Sequence, residues 1–588
     1  MPLFEYKDEE ALGNVLSVDT TSVVVKVSNI ERLRKMQVNR LVTLQSSRPG
    51  QFLVGIVQKI TRSSKEEKNS GEIEPDDNLE DFNLDDEINL VRIALIGTFL
   101  DKDGNKKNIF RRTLETVPEI DGKCFSIEGD YLTDFMRVIS NVGEKIKQKL
   151  SLGHYTLDEH AEAYLNGNRF FQRHAIIVGS TGSGKSWTTA RILEQVASLD
   201  NANAIVFDIH GEYKTLSGED FCHFHVAGSG DLRKKTGIKE GILYIPYWLL
   251  SYEALISMFV DRTDQNAPNQ SMVISRTVTE SKKKFLEKEE LTDILDNFTI
   301  DSPIPFCINE VIEELKRLNS EMVEGKNKEK QGDYYGKLSR LISRLENKLS
   351  DRRLGFLFQG GEETQKYEWL TEISQVLIDG KSSKVNKNGG VKIIDFSEVP
   401  SDILPLIVSL IARLVFSVQQ WCIASGRHPI AIFCDEAHLY IPDRIEGNNI
   451  QQVSIDTFER IAKEGRKYGV GLVVISQRPS EVNKTVLSQC NNLVAMRLAN
   501  AQDQTVVRRL LPDSLGGFSD LLPILDTGEA LVVGDASLLP SRIRITAPKN
   551  EPSGCTINFW DKWATSNPTS SIVEAVNSWR KQNSETAI

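Results

Sequence analysis

Continuous apolar runs bounded by turn residues recur through the chain at Ala175–Val178, Ala204–Asp208, Val391–Phe396, Ile430–Asp435, Gly471–Gln477, Asn492–Leu498 and Ala530–Gly534. Short unbroken apolar runs are how strands buried on both faces read. Helix-length stretches separate them, so the pattern predicts an α/β fold with a mostly parallel sheet covered by helices. The beginning of the chain reads differently. Ser22–Val27 and Gln51–Val57 are short strand-like segments, and the pattern resumes at Ile88–Thr98. Such strands at near-regular spacing predict a small β-barrel. From about residue 130 the periods become helix-length. Residues 250 to 350 are rich in Lys, Glu, Leu and Arg, as in Ser281–Glu290 and Leu338–Leu349, which predicts surface helices of an inserted subdomain. The expected organisation is a β-barrel over 1–120 with an acidic loop at 62–88, a first core segment over 121–249, a charged helical insertion over 250–370, a second core segment over 371–550 and a C-terminal tail or helix over 551–588.

Length and charge narrow this further. A chain of 588 residues is too long for one core, so several are expected. The net charge of -11 argues against a protein that coats nucleic acid over its whole surface, and leaves room for a positive lining inside an assembly. Much of the acidity falls in Glu66–Glu87, which reads as a solvated loop. The seven cysteines form no Cys-x-x-Cys pair and no regular spacing, which favours reduced thiols and a cytoplasmic protein. The longest apolar stretch, Leu404–Trp421, is interrupted by Arg413, Gln419 and Gln420 and reads as a buried helix, so no membrane span is expected.

The chemistry concentrates in Gly179-Ser180-Thr181-Gly182-Ser183-Gly184-Lys185-Ser186, entered from the Ala175–Val178 run and followed by a helix-compatible segment that opens with Trp187. This is a phosphate-binding loop, and the cofactors it calls for are ATP and Mg²⁺. Side chains at Gly182 and Gly184 would keep the backbone N–H groups from wrapping the phosphates; Lys185 reaches the β and γ phosphates and the Ser186 hydroxyl binds Mg²⁺. A second element, Ile430-Ala-Ile-Phe-Cys-Asp-Glu436, is an apolar strand ending in two carboxylates. Placed beside the loop in a parallel sheet, Asp435 holds the metal and Glu436 polarises the attacking water. Gln477, at the polar end of another buried run, is a candidate sensor of the γ phosphate. Asp208, His210 and Glu212 end a core strand near the phosphates; they can orient water or the loop, or simply bond the strand end. Cys222-His-Phe-His225 has metal-capable side chains but lacks a second pair, and packing is its ordinary role. Asp231–Gly237 and Glu446–Val453 are candidate pore loops, with solvated loops as the default.

Taken in order, Arg173-His174, the phosphate loop, Phe207-Asp-Ile-His-Gly-Glu-Tyr213, Asp435-Glu-Ala-His438, Arg460–Val470 and Ser476-Gln-Arg-Pro479 resemble the HerA family of hexameric ATPases, relatives of the FtsK translocases. The resemblance covers roughly residues 150 to 550. It implies a RecA/FtsK-like P-loop core with a barrel similar to that of rotary ATP synthase subunits, and a homo-hexamer with ATP sites between subunits. It further implies movement along double-stranded DNA, with a nuclease partner. By the same resemblance Lys185, Ser186, Asp435 and Glu436 form the hydrolysis set, Gln477 the sensor, Arg466 the arginine supplied by a neighbouring subunit and Arg173 a second interface arginine. Proteins of this kind resemble the ATPase halves of bacterial anti-phage systems, whose effector, a nuclease or NAD-consuming enzyme, is expected to dock on the N-terminal barrel. The rival expectation is an ATPase platform that assembles and switches such an effector without threading DNA. An ABC-type ATPase would need a Leu-Ser-Gly-Gly-Gln segment, which does not follow the loop.

Overall fold

The computed structural model describes residues 2–19, 22–27, 30–63, 88–139, 149–156, 158–233, 237–324, 329–380, 389–443, 449–511, 519–537, 539–553, 559–564 and 572–581. The body of the acidic loop, residues 64–87, lies outside them, as do 234–236 and 444–448 of the two candidate pore loops.

The first strands are β1 (Gly13–Val18), β2 (Ser22–Lys26), β3 (Leu41–Gln45), β4 (Gln51–Ser63), β5 (Ile88–Asp103), β6 (Lys106–Arg111) and β7 (Lys123–Ser126). They pair in the order β2-β1-β7-β3-β4-β5-β6, and β2 also pairs with β5, so six strands close into a barrel and β6 extends β5. Alternation along each strand fills the interior: Val23, Val25, Leu53, Val57, Val91 and Ile93 are fully buried. Closure needs strong local twist, and the β4–β5 ladder shifts register between Val54 and Gly55 and again between Val57 and Lys59. A Cβ at Gly55 would stand 2.3 Å from Ile93 Cγ2, so the tight approach there requires glycine.

Next come β8 (Lys149–Tyr155), β9 (Asp158–Asn166), β10 (Ala175–Val178), β11 (Ala204–Asp208), β12 (Phe221–Val226) and β13 (Ile242–Leu243). A small hairpin, β14 (Met322–Glu324) and β15 (Glu329–Gln331), interrupts the helices that run from Tyr252 to Ile378. The last strands are β16 (Val391–Asp395), β17 (Ile430–Cys434), β18 (Val470–Ser476), β19 (Asn492–Ala495), β20 (Glu529–Gly534) and β21 (Ser541–Ile545). The hairpin β8–β9 corrects the expectation of helical periods beyond residue 130. Its strands alternate polar and apolar positions and carry two register shifts, which blurs a period of two.

The chain divides into two compact units, one of Met1–Phe170, Val178–Gly184 and Asn491–Thr546, the other of Phe171–Ile177, Lys185–Cys490 and Ala547–Ile588. The first holds the barrel and an antiparallel ladder β19-β20-β21-β8-β9, so parallel pairing does not extend through every core strand. The second holds strands in the order β13-β12-β16-β11-β17-β18-β10, with parallel registers from β13 to β18. Helices Lys185–Ala197, Leu404–Trp421 and Asn449–Tyr468 belong to this second unit. Leu404–Trp421 is long and apolar enough to cross a membrane, yet 72% of that window is buried inside the protein, so it serves as a core helix.

Candidate active site

The site begins with a histidine. His174 lies in the left-handed region at φ 53° immediately before β10 and is 3% exposed. Its Nδ1 accepts the Leu472 N–H at 2.9 Å, so Nε2 carries the proton and donates to the Ala462 carbonyl at 3.0 Å. Burial lowers its pKa to about 4, which keeps the ring neutral, as this pair of bonds requires. The ring thereby fixes the start of the phosphate-loop strand against β18 and helix Asn449–Tyr468.

Beyond β10 the loop turns on Gly182 and Gly184, at φ 73° and 109°. The Ser180 N–H donates to the Arg497 carbonyl at 2.8 Å and the Gly528 N–H to the Ser183 carbonyl at 3.0 Å. A Cβ at Gly184 would meet Met496 Cε at 2.9 Å. The buried Ser183 Oγ has no hydrogen-bond partner.

Lys185 opens the following helix and is 8% exposed. Burial lowers its pKa, and Glu436, Asp435 and Glu212, the charges nearest it, oppose that shift. The Ser186 hydroxyl donates to Glu212 at 2.5 Å. Glu212 is held in place by Asp208, the last residue of β11. Fully buried, Asp208 accepts the N–H of Glu212 at 2.9 Å and of Tyr213 at 3.0 Å across a turn made by Gly211 at φ 70°. Burial raises the Asp208 carboxyl to about 6 against the effect of those two bonds. Of the alternatives open for this trio, Asp208 bonds the strand end, Glu212 reaches the phosphate-loop helix and His210 is exposed.

Asp435 and Glu436 follow β17, but β17 is not beside β10 as the sequence suggested: β18 lies between them. Gln477 therefore leaves the strand between the phosphate-loop strand and the carboxylates, and its backbone N–H bonds the Glu436 carboxylate. Burial pushes both carboxyls up, while Lys185 pulls them down. Glu436 sits at φ 43°, a conformation that costs a non-glycine residue roughly 1–3 kcal/mol and is concentrated at functional sites. Its Oε2 is buried without a hydrogen bond, 3.3 Å from Nδ1 of His438, whose pKa burial lowers. Among the described residues no group of three or more His, Cys, Asp or Glu side chains could hold a metal ion by itself, so a hard divalent cation beside Lys185 would take oxygens of the polyphosphate among its ligands.

Arg173 and Arg466 are placed elsewhere. Both precede the amino ends of their strands, β10 and β18, whereas Lys185, Glu436 and Gln477 follow carboxyl ends. The seven residues of β18 span ~23 Å, so the exposed Arg466 lies at the far edge of the parallel sheet from the hydrolytic cluster of its own chain. His223 bonds the Leu216 carbonyl at 2.7 Å and His225 approaches Asp231 at 3.2 Å. A further contact had no sequence signal. The Lys549 and Asn550 N–H groups bond Glu194 on the phosphate-loop helix at 2.9 and 2.8 Å, and the Ser553 N–H bonds the Glu212 carbonyl at 2.7 Å.

The family model for the central domain of the helicase HerA matches residues 150–415, and the model for the HerA-like C-terminal domain matches 425–548. A probable helicase of Methanocaldococcus jannaschii is 27% identical over 422 residues, 70% of each chain. A DNA double-strand break repair helicase HerA of Sulfolobus acidocaldarius is 25% identical over 419 residues, 69% of this chain and 71% of the relative. Among solved structures, VirB4 of Thermoanaerobacter pseudethanolicus aligns over 68% of this chain and 97% of its own, at 16% identity and a TM-score of 0.44. Two HerA models matched in order, one across the phosphate loop and the other across Asp435, Glu436 and Gln477, show that the chain is a P-loop ATPase of the HerA family.

Proposed function

We propose that the chain forms a ring, a homo-hexamer, that hydrolyses ATP at contacts between its copies and uses the cycle to move along double-stranded DNA together with a nuclease or other effector. The observation that carries this reading is the division of the parallel sheet. Lys185, Ser186, Glu212, Asp435 and Glu436 gather at its carboxyl edge, while Arg466 stands at the amino edge, beyond reach of its own site. In this reading a neighbour brings the Arg466 guanidinium to the phosphates, which ties turnover to assembly.

In this reading Gly179 to Ser186 bind the phosphates through the backbone, Lys185 neutralises the β and γ oxygens, and Trp187 lies in the first turn of the helix that Lys185 opens. Ser186 and Asp435 would hold Mg²⁺, which when bound withdraws charge from the phosphates. Glu436 accepts the proton of the attacking water through its unbonded Oε2, with its other contact fixed by the Gln477 N–H. Gln477 reports the γ phosphate, Asp208 positions Glu212 and thereby Ser186, and Arg466 and Arg173 act in the next copy's site. Support for DNA comes from the relatives, which are named as helicases, one of them for double-strand break repair. The barrel at the amino end is the proposed dock for the effector, and anti-phage defence the proposed setting.

Turnover measured with and without long duplex DNA, beside the particle mass and with Lys185→Ala as blank, tests the reading. Stimulation by DNA in a hexamer is expected. A hexamer indifferent to DNA but responsive to an effector would establish the rival platform instead.

A further inference from the structure

Beyond β21 the chain runs through residues 547 to 553, Ala-Pro-Lys-Asn-Glu-Pro-Ser, and forms neither helix nor strand there. Pro548 and Pro552, both buried, fix their own φ and push Ala547 and Glu551 toward extended backbone, so the stretch orders at low entropic cost. Its hydrogen bonds go to two elements of the nucleotide site. The first is helix Lys185–Ala197. Glu194 stands in the last turn of that helix, where the dipole disfavours a carboxylate. Both of its oxygens are used: Oε2 accepts the Lys549 N–H at 2.9 Å and Oε1 the Asn550 N–H at 2.8 Å. Two charge-assisted bonds to consecutive amides offset the poor position.

The second element is the turn after β11. The Ser553 N–H donates to the Glu212 carbonyl at 2.7 Å, and the Ser553 hydroxyl meets the Gly211 and Glu212 carbonyls at 3.1 and 3.0 Å. The Thr215 hydroxyl donates to the Glu551 carbonyl at 2.6 Å. Asp208 holds the Glu212 N–H, so both backbone groups of Glu212 are pinned, one by β11 and one by this segment. Helix and turn are also the two elements whose side chains meet in the hydrogen bond from Ser186 to Glu212. Ser186 lies about 12 Å from Glu194 along the helix axis, and a slide of helix against turn by ~1 Å would take that bond to the limit of its range. Because the Ser186 hydroxyl gives its proton to Glu212, its lone pairs are left to face a cation.

We propose that Lys549 to Ser553 form a clasp between the phosphate-loop helix and the Glu212 turn, with Glu194 as its positioning residue, and that the clasp sets the Ser186 hydroxyl for Mg²⁺. The inference rests on the reading of Ser186 as a metal ligand. It adds the remote contact that orients it.

The test uses the full chain carrying Glu194→Ala. Affinity for a fluorescent ADP is measured per copy in Mg²⁺ and again in EDTA, below the melting temperature of every variant. The ratio of the two affinities isolates the metal's share of binding. In Glu194→Ala that ratio should fall by roughly ten- to a hundredfold, the range for partners that orient a metal ligand, while affinity in EDTA stays at the parent value. Glu194→Gln keeps one acceptor oxygen and should recover part of the ratio. Ser186→Ala should lose the ratio by itself, and adding Glu194→Ala to it should lower the ratio no further. If Glu194→Ala does not fold, Thr215→Val with Ser553→Ala loosens the other end of the clasp and should lower the ratio in the same way. A lower melting temperature with the parent's ratio would make the segment a structural tie only and overturn the clasp. A full further loss in the double variant would also overturn it, because Glu194 would then act apart from Ser186. The parent's ratio in Ser186→Ala would instead fail the metal reading of Ser186, and the clasp with it.

Discussion

Replacing His174 by Asn removes a titratable ring from the base of the phosphate-loop strand while keeping a residue that tolerates φ 53°. In the native chain the ring titrates at about 4, against an ordinary histidine value of 6.5. Between those values an unfolded chain binds a proton that the folded chain does not, so unfolding gains as pH falls. The stability is complete above 6.5 and lost as pH drops toward 4. At about 1.4 kcal/mol per pH unit the gap amounts to ~3.4 kcal/mol. Because the ring is 3% exposed, solvent screening takes little from that figure. Urea midpoints followed by circular dichroism from pH 7.5 to 4 should fall for both proteins, since carboxylates titrate in each. The native chain should lose ~3 kcal/mol more than His174→Asn, whose own deficit at pH 7.5 comes from the bonds to Leu472 and Ala462, about 1 kcal/mol each. Parallel profiles would refute the neutral, doubly bonded ring.

Glu436→Gln should bind ATP with the parent's affinity and lose roughly 10²–10⁴-fold in turnover, the usual worth of a general base; turnover within threefold of the parent removes Glu436 from that role. Asp208→Ala leaves the Glu212 and Tyr213 N–H groups buried without acceptors, which costs ~2–4 kcal/mol, read as a lower melting temperature together with weaker Mg²⁺-dependent nucleotide binding. An unchanged melting curve would count against its positioning role. Gly184→Ala meets Met496 as well as the strained φ and should lower the melting temperature more than Gly182→Ala, whose Cβ has open space around it and adds only backbone strain of ~1 kcal/mol, while both weaken nucleotide binding by obstructing the phosphates. Equal losses in the two would mean that the Met496 contact decides nothing.

The expected core strands fall within a few residues of the observed ones because a strand buried on both faces writes itself as an uninterrupted apolar run, as in β11 and β17. The phosphate loop and the Asp435–Glu436 strand end were legible for a related reason, since their chemistry fixes residue types at fixed offsets. Strand direction leaves no such trace. Nothing in Asn492–Ala495 or Glu529–Gly534 distinguishes the antiparallel ladder they join from a parallel one, and nothing in Val470–Ser476 says that it lies between β10 and β17. Contacts between residues distant in sequence were equally hidden. His174 bonds partners 288 and 298 residues away, and Glu212 becomes part of the site only through the turn that Asp208 and Gly211 build. Glu436 was readable as a carboxylate, while its left-handed backbone and unbonded oxygen were not.

The central claim is that ATP hydrolysis at sites shared between copies drives this chain along duplex DNA. Displacement of a third strand from an otherwise uninterrupted duplex measures such movement without requiring strand separation or base reading. Release of the third strand should need ATP and Mg²⁺ and be lost in Glu436→Gln and Arg466→Ala, with a delay that lengthens with the run of duplex before the triplex. Release absent in hexamers that hydrolyse ATP, or equally fast at every length, would contradict the account.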